Sequence, residues 1–329
     1  MNMRRKNQQK RAVFFCVIMF LVLAVMIGGL QLLESAVFYD GDLQIDAETK
    51  TITRYGMDYY PRQDITVILI MGIDKVGPVE SSGTHTNEGR ADAVMLAVLD
   101  HAEESWTLLN LNRDTMVRMP VLGIGGKPAG TYYGQLALAH TYGEGLEDSC
   151  ENTRNTVSSL LYGITIDHYL AMNMDAVSIA NDAVGGVTVK VTDDFSDIDP
   201  TITKGEMTLK GKQAWDYVRS RKGVGDQLNL ARMERQEQYL TALLSRLREE
   251  AKQRDSFVLE LYSQMADYIV TDCSAKVISG LAQRCEEYEL EEVITPEGRN
   301  IRGEEHYEFY LDEDKLDDLI LRLFYARKK

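Results

Sequence analysis

The sequence predicts an α/β fold: a sheet covered on both faces by helices, carried behind one N-terminal transmembrane helix. Three observations predict it. An uncharged apolar run opens the chain. Three continuous aliphatic runs, Ile65 to Met71, Ala93 to Leu99 and Trp106 to Leu111, follow in the body. Helical patterns then alternate with further short apolar runs. Continuous apolar runs of this length fit strands buried on both faces, and strand–helix alternation fits a sheet with helices against it.

The apolar run is Ala12 to Leu30, 19 residues, continuing uncharged to Leu33. At ~1.5 Å per residue it spans ~30 Å of hydrocarbon. Arg4, Arg5, Lys6, Lys10 and Arg11 precede it with no acid. Positive residues stay on the cytoplasmic side, so the expected arrangement is a single-pass cell-membrane protein with a cytoplasmic N-terminus and an extracytoplasmic body. A cleaved signal peptide fits less well. Its apolar core is usually ~7–15 residues and ends in a small-x-small site, whereas Glu34 holds the outer position of the nearest candidate.

The division expected is a basic tail at 1–11, the anchor at 12–33, a stalk at 34–62, a main domain at 63–250 and an appended C-terminal α/β region at 251–329. The stalk carries two weakly strand-like pieces, Leu43-Gln44-Ile45 and Thr51-Ile52-Thr53, suited to a short hairpin. After the three long strands, short helices are expected over Gln135 to Tyr142 and Glu151 to Tyr162. A strand follows at Tyr169 to Met172. A helix over Asp175 to Val184 is stopped by Gly185-Gly186, and Val187 to Val191 is a strand. Gln213 to Arg219 is helical. Leu230 to Lys252 is a long amphipathic helix, with Leu240, Leu243, Leu244 and Leu247 at helical spacing. Beyond residue 255 the pattern gives helices, two short strands near Glu292 to Ile294 and His306 to Leu311, and a last helix over Leu316 to Phe324.

The whole chain has a formal charge of −15, and setting aside the five basic residues before the anchor leaves −20 for the body. A phosphate polymer would be repelled overall, so nucleic acid is not an expected partner. Cys150, Cys273 and Cys285 lie in the body, an odd number without metal-type spacing. A Cys273–Cys285 bridge and free thiols both remain open.

Four clusters carry candidate chemistry. Gly72-Ile73-Asp74 follows one strand, Arg90-Ala91-Asp92 precedes the next, and Asn112-Arg113-Asp114 follows the third. Arg219-Ser220-Arg221 leads to Asp226, Arg232, Arg235 and Gln236. If the strand after Asp92 is antiparallel to its neighbours, Asp74, Asp92 and Asp114 share one rim, the usual ligand side of such sheets. Gly77, Ser81, Ser82, Gly83 and Gly89 let the intervening loop turn back. Converging carboxylates suit Mg²⁺, which takes one or two of them with water and phosphate oxygens. Arginines suit phosphate, because a planar guanidinium donates two hydrogen bonds to one group and keeps its charge. Taken singly, each such residue is more often a structural salt bridge. Their joint occurrence at strand and helix ends is what points to pyrophosphate. Arg219 and Arg221 converge only if their helix ends there.

Other catalytic motifs are missing. There is no Gly-x-Ser-x-Gly, His-Glu-x-x-His or Cys-x-x-Cys. Gly205 to Lys212 looks like a phosphate loop only superficially, being one residue too long with Gln213 in place of Ser or Thr. His140 sits in an apolar segment and reads as a packed core histidine.

These residues resemble the LytR–CpsA–Psr (LCP) family of bacterial cell-envelope proteins over roughly 63 to 250. The resemblance rests on Ile68-Leu69-Ile70-Met71-Gly72-Ile73-Asp74, Gly89-Arg90-Ala91-Asp92-Ala93-Val94 and Asn112-Arg113-Asp114-Thr115. Ala137 to Gly145, Val184-Gly185-Gly186-Val187 and Leu209-Lys210-Gly211 with Ala214 continue it. Tyr217-Val218-Arg219 with Arg221, and Arg232 with Arg235-Gln236, close it. It implies a three-layer α-β-α domain with a mixed central sheet and a hydrophobic pocket for a polyprenyl chain. It also implies an enzyme that moves a glycopolymer from undecaprenyl pyrophosphate to a peptidoglycan acceptor. By position, Asp74 and Asp92 would hold Mg²⁺. Arg90, Arg113, Arg219, Arg221, Arg235 and Gln236 would bind the pyrophosphate, with Arg113, Asp226 and Arg232 as catalytic groups. Asn112 stands where the family often has Pro, Ala91 where Ser is common, and the Asp226-to-Arg232 spacing is longer than usual. A polyprenyl-phosphate-binding regulator without turnover and a lipid pyrophosphatase are the alternatives. The polymer and the oligomeric state are not fixed by the sequence.

Overall fold

The structure, a computed structural model, describes residues 43–327 apart from 47, 124, 221–223, 225–228 and 305. The expected tail and anchor lie outside the described residues. Among those described, no helix is long and apolar enough to cross a membrane.

The chain separates into two units, residues 1–60 with 327–329, and residues 61–326. The first holds the expected hairpin and one strand more: β1 (Leu43–Ile45), β2 (Ile52–Arg54) and β3 (Met57–Pro61), successively antiparallel. Tyr55 and Gly56 join β2 to β3 with φ of 52° and 71°. Two positive φ values give a two-residue turn whose twist suits a hairpin.

The second unit runs β4 (Ile65–Ile73), β5 (Ala91–Asp100), β6 (Ser105–Leu111), β7 (Met116–Leu122) and β8 (Pro128–Gln135). A 3-10 helix (Leu136–Thr141), α1 (Glu147–Leu160), β9 (His168–Asn173) and α2 (Met174–Ala183) follow. Next come β10 (Val187–Val191), β11 (Gly205–Leu209), α3 (Lys212–Arg219), α4 (Asn229–Gln253) and α5 (Phe257–Met265). The chain continues through β12 (Ile269–Thr271), α6 (Ala275–Glu287), β13 (Glu289–Ile294), β14 (Gly298–Arg302), β15 (Tyr307–Leu311) and α7 (Glu313–Phe324).

The central sheet has six strands in the order β12-β9-β4-β5-β6-β13. It is mixed: β9 and β13 are parallel to their neighbours β4 and β6, while β5 is antiparallel to both β4 and β6. The segment after residue 250, expected as an appended region, supplies both edge strands. A three-residue strand such as β12 is too short to show a period of two, which is why it was not expected. The segment that resembled a phosphate loop forms β11 and the start of α3.

Both faces of the sheet are buried, which explains the continuous apolar runs. On one face Ile68, Ile70, Ala97, Leu99, Trp106 and Leu108 pack against Leu240 and Leu244 of α4 and Leu281 of α6. The alternating residues Leu69, Met71, Val94 and Leu96 are fully buried on the other face, where the 3-10 helix lies against β5 and α1 packs on the 3-10 helix. A second core gathers α2, β10, β11, α3, α4 and α5 around Phe195 and Tyr217, whose rings stack at 5.5 Å. This core fixes α3 and the first turns of α4, which bring arginines to the rim.

Candidate active site

Because β5 runs opposite to β4 and β6, the end of β4, the start of β5 and the end of β6 meet at one rim. The Asp74 amide donates to the Arg90 carbonyl at 2.9 Å. The register holds one irregularity here: Gly72 pairs with Ala93, but Ile73 pairs with Ala91. Asp92 is the extra residue. In an unbroken ladder it would stand opposite Ile73 and share that residue's face. The bulge frees it from that pairing, and its carboxylate meets Arg232 of α4. Sequence periodicity cannot show such a bulge.

Asp92 is the centre of a buried knot. Its Oδ1 accepts from Arg113 and its Oδ2 from the Arg232 Nη1 at 3.2 Å, while Arg232 Nη2 reaches the Asp92 carbonyl at 3.4 Å. Asp92, Arg113 and Arg232 are 9%, 7% and 3% exposed. Arg113 Nε also faces Asp114 at 3.4 Å, and Asp114 accepts from Gln135 at 2.8 Å. Gln135 ends β8, so the β7–β8 hairpin braces the arginine. Neither Asp114's brace nor Gln135 was legible beforehand.

Asp74 makes a second, more open cluster. Its Oδ1 accepts from Arg219 Nε at 3.1 Å and its Oδ2 from Arg90 Nη2 at 3.4 Å. The Arg219 and Arg90 side chains remain nearly half exposed. α3 stops at Arg219 because Ser220 turns extended (φ −66°, ψ 131°). The Arg219 guanidinium lies 4.7 Å over the Trp215 ring, with Lys212 at 4.9 Å from the same ring. Trp215 sits one helical turn before Arg219, a spacing that was visible in the sequence but not used. Loss of this platform in Trp215→Ala is expected to raise KM for an anionic substrate roughly 3–10-fold, from a cation–π contact of ~1 kcal/mol. Steady-state kinetics of Trp215→Phe, which keeps an aromatic face, should show most of it restored.

Arg235 and Gln236 go elsewhere. Arg235 pairs with Asp193 at 2.8 Å and donates to the Ser220 carbonyl, and Gln236 donates to the Val218 carbonyl at 3.1 Å. Both hold the end of α3 rather than joining Asp74 or Asp92. Asp193 was not anticipated. Arg221 and Asp226 lie outside the described residues.

Four guanidiniums thus face three carboxylates, Asp74, Asp92 and Asp114, across the two clusters, an excess of one positive charge suited to a phosphate group. The carboxylates are the hard oxygen donors that Mg²⁺ takes, so the donor set fits that ion. Each oxygen of Asp74 and Asp92 also faces a guanidinium, so phosphate that draws the arginines away would free carboxylate oxygens for the cation. Beside the knot, a crevice too tight to admit a water molecule lies between the sheet and α4, lined by Met95, Leu108, Asn110, Glu237, Leu240, Thr241 and Val293. Met95 and Asn110 pair across β5 and β6, three residues from Asp92 and Arg113.

His140 is the packed histidine expected. It is 2% exposed and its Nδ1–H donates to the Gly89 carbonyl at 2.8 Å, fixing the residue before Arg90. Burial lowers its pKa from 6.5 to about 4. As pH falls, the unfolded chain takes up this proton first. The contribution to stability is therefore full above the ordinary value and is lost as pH falls toward the folded one, by on the order of 3 kcal/mol in total. Urea unfolding at neutral pH and again near the folded-state pKa should show this loss, with a smaller pH dependence in His140→Gln. Cys150 and Cys273 are free, buried thiols, so Cys273 forms no bridge.

Residues 32–323 match the model of the LytR_cpsA_psr family. Among curated relatives, the polyisoprenyl-teichoic acid–peptidoglycan teichoic acid transferase TagU of Oceanobacillus iheyensis is 30% identical over 190 residues, 56% of this chain and 52% of the relative. The corresponding TagV of Bacillus subtilis is 32% identical over 187 residues, 55% of this chain and 43% of the relative. The matched region spans about half the length of these relatives. Among solved structures, TagT bound to LI-WTA is 25% identical with a TM-score of 0.60, covering 79% of this chain and 90% of that one. Bacillus subtilis TagV is likewise 25% identical with a TM-score of 0.60, covering 80% and 96%. With the family model matched across nearly the whole chain, and the mixed sheet that these structures share, the protein belongs to the LytR_cpsA_psr family.

Proposed function

We propose that this protein is a membrane-anchored phosphotransferase that moves a glycopolymer from a polyprenyl-pyrophosphate carrier to peptidoglycan. In this reading the domain is a three-layer α-β-α unit outside the cytoplasm, tethered by the helix at 12–33 to the bilayer that holds its donor lipid. The observation that carries it is the joined arginine–carboxylate clusters at one rim, with guanidiniums in excess. The names of the curated relatives, and a TagT structure bound to LI-WTA, support the same substrate class.

The reaction follows from this chemistry. A hydroxyl oxygen of the acceptor forms a bond to the glycan-side phosphorus. The bond from that phosphorus to the bridging oxygen breaks, and prenyl phosphate leaves with the electron pair. The acceptor's proton passes to a carboxylate, the role the resemblance gives Asp226. Arg90 and Arg219 meet the entering phosphate because they are exposed. Arg113 and Arg232, fixed by Asp92, present donors to the charge that grows on the phosphoryl oxygens. Mg²⁺, held by Asp74 and Asp92, would neutralise further phosphate charge when bound.

Incubating the full-length protein in detergent with a lipid-linked glycan, with and without peptidoglycan, tests the reading. Glycan attached to peptidoglycan together with released prenyl phosphate is expected. Release without acceptor attachment would make it a lipid pyrophosphatase. Tight lipid binding without release would make it a binding regulator.

A further inference from the structure

We infer a transition-metal site, zinc being the best fit, formed by His168, Asp272 and Cys273 at the edge of the central sheet. His168 opens β9. Asp272 and Cys273 follow β12, its antiparallel neighbour, and lead into α6, which Ser274 caps. His168 Nδ1 lies 3.4 Å from Asp272 Oδ1, Cys273 Sγ lies 3.9 Å from the same oxygen, and all three ligand atoms fall within 4.8 Å of one another. A tetrahedral zinc with bonds of ~2.0–2.3 Å sets its ligand atoms roughly 3.3–3.7 Å apart, so small side-chain rotations close the site.

Two features separate this group from an ordinary surface ion pair. His168 Nδ1 is buried and has no hydrogen-bond partner, although it points at the carboxylate. The thiol beside it is also buried and free. A His–Asp pair alone gives no reason for a thiol at the third corner. Nitrogen, oxygen and sulfur together are the donor set of zinc rather than of magnesium or calcium. The carboxylate is braced as metal-bound carboxylates are. Its Oδ1 accepts from the Tyr169 amide at 3.0 Å, and its Oδ2 faces Arg154 at 3.4 Å. Arg154 in turn pairs with Glu151, which offsets its charge.

The site lies away from the arginine rim. β9 is parallel to β4, with His168 opposite Ile68 and Asn173 opposite Ile73, so five residues separate the two ends, ~17 Å of strand. With a water as the fourth ligand, the metal would tie β12 and the start of α6 to β9, a role independent of the transfer reaction. The cysteine spacing gave no hint, because the ligands come from strands about a hundred residues apart.

The test uses the full-length protein in detergent, stripped with a chelator and then given zinc alone or cobalt alone. Zinc is expected to bind at one equivalent and raise the Tm. Cobalt should give a thiolate-to-metal charge-transfer band in the near ultraviolet. Cys273→Ser should abolish the band and weaken zinc binding by ~100-fold or more, beyond the 10–100-fold typical of losing an outer partner. His168→Ala, at a partly exposed position, repeats the affinity test should Cys273→Ser fold poorly. Absence of a zinc-dependent Tm shift, or a shift and band that survive both substitutions, overturns the proposal.

Discussion

Asp92→Ala is expected to cost about 3–5 kcal/mol of stability, the range for breaking one partner out of a buried ion pair. The cause is what remains. Arg113 and Arg232 are both under a tenth exposed and both turn toward Asp92. Without the carboxylate, two desolvated guanidiniums face each other across the space it filled. Arg113 keeps Asp114 at 3.4 Å as a weaker partner. Removing one of the two positive charges should recover part of the loss, so Asp92→Ala with Arg232→Met is expected to be more stable than Asp92→Ala alone. Urea unfolding of the wild type, the two single variants and the double variant gives the coupling directly. An Asp92→Ala midpoint within error of wild type would show that the knot contributes nothing to the fold.

Much of this site was legible because its chemistry sits at the ends of strands that announce themselves. β4, β5 and β6 are buried on both faces, and their unbroken aliphatic runs place Asp74, Asp92 and Arg113 at element ends without knowledge of the fold. The antiparallel setting of β5 then brings those ends together. The bulge at Asp92 was not legible, since one extra residue in a ladder leaves no trace in composition. Arg235 and Gln236 follow closely on Arg232, and the family resemblance gave them the pyrophosphate as their target. The structure separates them, because the extended turn at Ser220 offers carbonyls that need donors, and Asp193 offers a carboxylate. The β7–β8 hairpin was missed because its second strand, Pro128–Gln135, is almost wholly exposed and carries no apolar alternation. Edge strand β12 escaped for a related reason: a strand bonded on one side, and only three residues long, needs little hydrophobic pattern, whereas the longer edge strand β13 was expected near Glu292 to Ile294. The anchor and the Asp226 segment lie outside the described residues, so their reading rests on sequence alone.

The outer cluster is expected to behave in the opposite way to the inner one. Arg219→Ala should lower kcat/KM for transfer by ~10–10²-fold, the cost of losing a charged hydrogen bond to phosphate worth ~1.5–3 kcal/mol, while changing stability by no more than about 1 kcal/mol. The small stability effect follows from exposure, since an ion pair whose arginine is nearly half open is screened and entropically costly to hold. Arg219→Lys should recover little activity, because an ammonium cannot reproduce the planar fork or its stacking on Trp215. The contrast between the clusters is the reason to measure both quantities in every variant. A buried arginine held by Asp92 builds the rim. An exposed arginine held loosely by Asp74 can exchange that carboxylate for a phosphate oxygen at little cost, as a substrate-binding group must. Retention of more than a tenth of wild-type transfer by Arg219→Ala, in protein of unchanged stability, would remove Arg219 from the phosphate site and leave its contact with Asp74 as an ordinary surface salt bridge.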